Sequence, residues 1–80
     1  MKRKGYDEGQ LLDLVKNGAV REAKASRHGE RWAFYFRLGG PGSNWLAVRS
    51  QREQVRTWAS LDTLARFADA VGIRLFAVEQ

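Results

Sequence analysis

Residues 31–38 (RWAFYFRL) alternate with period two, placing Trp32, Phe34, Phe36 and Leu38 on one side and Arg31, Ala33, Tyr35 and Arg37 on the other. Such alternation predicts a strand with one buried face. Residues 19–27 (AVREAKASR) predict its antiparallel neighbour, joined by His28 and Gly29 as a two-residue turn. That turn sets Ala25 opposite Trp32, Ala23 opposite Phe34 and Arg21 opposite Phe36, so that small residues meet large rings.

Helical spacing occurs twice. Asp7 can cap a helix over residues 8–16 with Leu11, Leu12 and Val15 as its apolar face and Gly18 beyond its end. Ser60 caps a better-specified helix, where Asp62 suits the positive end and Leu61, Leu64, Ala65, Phe67, Ala68 and Val71 form one stripe up to Gly72. Between the helices, GGPGSN reads as a hairpin connection and not as a phosphate loop, because it lacks the lysine and the following Ser or Thr.

A third strand is expected over residues 45–49, with Leu46 and Val48 inward and Trp45 forced outward, and a short fourth over residues 54–58. Residues 73–78 (IRLFAV) predict a last strand, apolar on both sides and so buried by both layers. The expected fold class is α+β: a mostly antiparallel twisted sheet of three to five strands with one or two helices on one face, in the order helix, three or four strands, helix, strand. Residues 1–6 are expected to form a flexible basic tail and residues 7–80 a single domain.

At 80 residues such a domain buries only about 60–65% of the surface its unfolded chain exposes, so a large ring given up to solvent requires a reason. With helices covering the Trp32, Phe34 and Phe36 side, the other side presents Arg31, Ala33, Tyr35 and Arg37, flanked by Trp45, Ala47 and Arg49 from the third strand. The first strand adds Val20, Glu22, Lys24 and Ser26. Two aromatic rings among arginines suit stacking on bases and pairing with phosphates, or entry of a β-ribbon into the major groove.

Charge points the same way. The net +5 is uneven: residues 19–58 carry +5 and Lys2, Arg3 and Lys4 a further +3, against −3 elsewhere. A polyanionic partner follows, DNA first and RNA second. The expected nucleic-acid-binding residues are Lys24, Arg31, Tyr35, Arg37, Trp45, Arg49, Arg52 and Arg56, together with Lys2, Arg3 and Lys4. Arg49, Arg52 and Arg56 serve equally as charges that keep a sheet edge from associating. The competing reading is a protein-interaction module or homodimer using the same sheet face.

Other chemistry is not expected. The chain has no cysteine and one histidine, His28, placed in a turn away from any acid and nucleophile pair, so neither a metal site, a cofactor nor catalysis is expected. No apolar run approaches a membrane span, and the start MKRKGYDEGQ has no apolar signal core, so a cytoplasmic protein is expected.

Across residues 11–79, the pattern NGAVREA, RWAFYFR and SLDTLARFADAVGIRLFAVE resembles short accessory proteins encoded on bacterial plasmids and integrative elements, often near partition or transfer genes. That resemblance implies a role in maintaining or regulating mobile DNA and assigns no binding residues. The element order also looks like a double-stranded RNA-binding domain, but SLDTLAR lacks that family's lysine cluster. A three-stranded sheet bearing Arg and Trp is similar to AP2-type and integrase arm-binding modules that read the major groove.

Overall fold

The computed structural model describes residues 5–40 and 42–80. Lys2, Arg3 and Lys4, expected in the tail, lie outside the described residues. Two helices and a mixed, mostly antiparallel five-stranded sheet follow in the order α1 (Glu8–Lys16), β1 (Glu22–His28), β2 (Arg31–Arg37), β3 (Leu46–Ala47), β4 (Thr57–Trp58), α2 (Leu61–Ala70) and β5 (Ala77–Glu79).

Both helices begin on reciprocal caps. Asp7 Oδ1 accepts from the Gln10 amide while Gln10 Oε1 accepts from the Asp7 amide, and Ser60 and Thr63 repeat the arrangement at α2. A capping side chain of this kind contributes about 1 kcal/mol. The helices then lay their apolar stripes on one side of the sheet: Leu11 of α1 and Leu64, Phe67 and Ala68 of α2 share a single buried cluster with Trp32, Phe34, Phe36, Val48 and Trp58. Ala65, expected in that stripe, is exposed.

The β1–β2 hairpin departs from expectation in its turn. Gly29 and Glu30, not His28 and Gly29, connect the strands, and the register moves by two positions, pairing Ala23 with Phe36, Ala25 with Phe34 and Arg27 with Trp32. The physical reason lies in the backbone: Gly29 takes a positive φ of 68° at the first turn position, whereas a turn starting at His28 would ask a non-glycine residue to do so. Because the displacement is even, every side chain keeps its expected face. Ala23 and Ala25 are buried against the two phenylalanines, and the Arg27 guanidinium sits 4.6 Å over the Trp32 ring.

One edge of β2 carries two short strands end to end. β3 pairs with Tyr35 and Phe36, and β4 with Trp32 and Ala33. The chain leaves and rejoins that edge at one point, since the Val48 amide donates to Phe34 O and the Arg56 amide to Val48 O. Within the stretch expected as tail, Tyr6 is docked: it forms a parallel bridge with Val48, and its ring meets Phe36 edge-on at 5.5 Å.

β5 completes the order β3-β2-β1-β5, running parallel to β1 after the crossover through α2. Here the expectation of burial by both layers fails. Only Ile73 is buried and Phe76 partly so, while Leu75 is 88% and Val78 46% exposed. The run turns off α2 through Gly72 and pairs only over Ala77–Glu79, so it becomes the outer edge and not a central strand.

Candidate nucleic-acid interface

The sheet side opposite both helices is built by the outward residues of four strands. Parity along β1, β2 and β5, with the register of their pairing, puts Glu22, Lys24 and Ser26 beside Arg31, Ala33, Tyr35 and Arg37, with Ala77 and Glu79 on the outer strand. Trp45, next to β3, brings its indole to the same side: Lys24 Nζ and Arg37 Cζ each lie 4.4 Å from its ring centroid. Lys24, Arg31, Tyr35, Arg37 and Trp45 are thus brought together as the alternation requires.

This surface is tighter than an open array of arginines. Arg37 Nη2 donates to both carboxylate oxygens of Glu22 at 2.8 and 2.9 Å, and Lys24 Nζ to Glu79 Oε1 at 3.0 Å. Both cations pack against the indole, and their side chains are only 15% and 17% exposed. Stacked cations of this kind contribute about 0.5–2 kcal/mol each, depending on how far they are desolvated. At the other end, Arg31 Nε donates to Thr57 Oγ1 at 2.7 Å and Arg31 Nη2 to Thr57 O at 3.2 Å. Ala33, expected on the free face, is fully buried, its methyl group sunk between Ser26 and Thr57 on the flanking strands.

The remaining arginines are dispersed. Arg49 is held by Asp7 Oδ2 at 3.3 Å, which ties the end of β3 to the cap of α1. Arg56 lies over the Trp58 and Phe67 rings and 3.6 Å from Glu8, on the helix side of the sheet. Arg52 is exposed in the excursion between β3 and β4 and makes no ion pair with the described residues. The cluster read from RSQREQVRTW is therefore split between two faces and an edge, and Lys2, Arg3 and Lys4 fall outside the described residues.

Alternation alone placed Glu22 on this face, but not its bond to Arg37. Glu79 was missed entirely, because its approach to Lys24 depends on the parallel β1–β5 pairing between residues 55 apart. With three cations and two carboxylates, the face carries a small positive surplus. His28 is exposed at the end of β1, and no group of His, Asp and Glu suited to a metal ion occurs among the described residues. No described helix is long and apolar enough to cross a membrane. Comparison with protein-family models, curated proteins and solved structures finds no match to this chain.

Proposed function

We propose that this chain is a non-enzymatic nucleic-acid-binding protein, with duplex DNA as its first ligand and RNA as the alternative, acting as an accessory or regulatory protein of a mobile genetic element in the cytoplasm. The observation that carries the reading is the pair of partly exposed rings, Tyr35 and Trp45, set among Lys24, Arg31 and Arg37 on the side of the sheet that neither helix covers. A domain of this size gains more by burying such rings than by leaving them in water, so their position supports contact. The accessory role rests on the resemblance to plasmid-borne proteins, and the compartment on the absence of cysteine.

The test is one titration series with labelled duplex DNA, single-stranded DNA and RNA of the same sequence at several salt concentrations. Duplex DNA should bind tightest. With Lys24, Arg31 and Arg37 each meeting one phosphate, log K should fall against log salt with a slope of about −2.7. Absent or salt-independent binding to all three probes would overturn the reading.

A second reading, protein association, has its own observation. Val78 stands exposed on the outer strand and Leu75 just before it, where Leu75 lines a pocket of about 190 Å³ together with Val15, Val20 and Ile73. A salt-insensitive dimer in light scattering that ignores all three nucleic acids would favour it.

A further inference from the structure

Lys24 and Arg37 differ from Arg31, the third cation of the face, in being both covered by a ring and engaged by carboxylates. The engagement of Arg37 is incomplete. Glu22 takes both its hydrogen bonds from Nη2 alone, whereas the strongest guanidinium–carboxylate pairs use two nitrogens as parallel donors. Arg37 Nε is buried with no partner, and a buried donor left without an acceptor is destabilising. The carboxylates, in contrast, are solvated: the Glu22 and Glu79 side chains are 46% and 57% exposed. The loop that carries the indole is also imperfectly satisfied. Ser43 Oγ, two residues before Trp45, is buried without a partner, and Gly39, Gly40 and Gly42 precede it.

We propose that Arg37 and Lys24, beneath Trp45, form a phosphate subsite that Glu22 and Glu79 fill in the free protein as internal surrogates. Its ligand is the phosphodiester group of a nucleic-acid backbone, so the inference deepens, and rests on, the reading above. Movement of the indole uncovers Nε, and two phosphate oxygens then take Nε and Nη2 side-on while Lys24 Nζ meets the adjacent phosphate of the same backbone. The displaced carboxylates return to water, where they already stand half exposed. Binding is an exchange of anions, and the acidic residues of the face set its affinity.

The experiment compares wild type, Glu22→Gln, Asp69→Asn and the pair Arg37→Gln and Glu22→Gln/Arg37→Gln, titrated with one duplex DNA at fixed salt. Asp69 is exposed in the last turn of α2 on the other side of the protein, so Asp69→Asn makes the same change in net charge away from the subsite. Glu22→Gln should tighten binding about tenfold and Asp69→Asn by less than about twofold, and the gain from Glu22→Gln should vanish in the Arg37→Gln background. Equal effects of Glu22→Gln and Asp69→Asn, or a gain that persists without Arg37, would overturn the surrogate role while leaving nucleic-acid binding intact.

If no variant binds duplex DNA, single-stranded DNA or RNA, the nucleic-acid reading falls and the subsite is decided separately by pyrophosphate. Trp32 and Trp58 are buried, so the indole fluorescence that responds to an added anion is that of Trp45, with Trp45→Phe as the check. A response in Glu22→Gln that is lost in Glu22→Gln/Arg37→Gln supports the subsite, and no response in either overturns it.

Discussion

Phe34→Ala should lose about 3–5 kcal/mol of folding free energy, the range found when a fully buried aromatic ring is truncated. Phe34 is completely buried, its ring meets Phe76 at 5.5 Å and Phe67 at 6.1 Å edge-on, and its cross-strand neighbour is the small Ala25. No nearby side chain can grow into the space, so the cavity stays. For a domain of 80 residues, whose whole stability is of order 4–12 kcal/mol, such a loss brings much of the population to the edge of unfolding. Tyr35→Ala, one residue along on the other face, should cost about 1 kcal/mol and leave a cooperative transition. Thermal unfolding followed by circular dichroism compares the two. A larger loss for Tyr35→Ala would mean that β2 buries its other side.

Trp45→Ala carries the largest expected effect on binding. The indole contributes to the proposed interface twice, through its own outer surface and through the two cations it holds at 4.4 Å. Stacking of one base is worth about 1–3 kcal/mol, so affinity for DNA should fall by about tenfold to a hundredfold. Folding should lose about 1–4 kcal/mol with the two stacked cations, less than a core ring costs, so affinity is measured on protein shown to be folded by circular dichroism. Arg37→Ala should weaken binding by a similar factor and reduce the salt slope by about 1. Losing the Glu22 pair and the stack on Trp45 together should cost about 1–3 kcal/mol of stability. Unchanged affinity in both folded variants would move the contact surface elsewhere on the protein.

The features that could be read from sequence are those governed by local chemistry. Asp7 with Gln10 and Ser60 with Thr63 mark the two helix starts within four residues each, and Gly18 and Gly72 follow their ends. The faces of β2 were legible because alternation survives any even error in register, and the error at the Gly29–Glu30 turn was even. What was not legible depends on partners far along the chain. The run from Ile73 to Val78 has the composition of a central strand, but only the crossover through α2 decides that it lies at the edge, with Leu75 in solvent. Nothing local shows that β3 and β4 share one edge of β2.

The candidate site divides along the same line. Arg31, Tyr35, Arg37 and Lys24 share a face through strand periodicity, and Trp45 joins them because Leu46 and Val48 turn inward. Arg49 and Arg56 look like their companions in sequence but are drawn to Asp7 and Glu8 at the start of α1, 42 and 48 residues away. Long-range ion pairs are set by tertiary placement, so a count of basic residues overstates how many remain for a ligand. The same placement pairs Lys24 with Glu79 and Arg37 with Glu22, the contacts on which the proposed anion exchange rests.

The most direct measurement is a nuclear magnetic resonance titration of isotope-labelled protein with a short DNA duplex, following backbone amides together with the tryptophan indole N–H signals. The largest perturbations should fall on Lys24, Arg31, Tyr35, Arg37 and the Trp45 indole, with α2 and the buried Trp58 unmoved. Perturbations gathered on the exposed side of α2 or along β5, with Tyr35 and Trp45 unchanged, would contradict the sheet face as the contact surface.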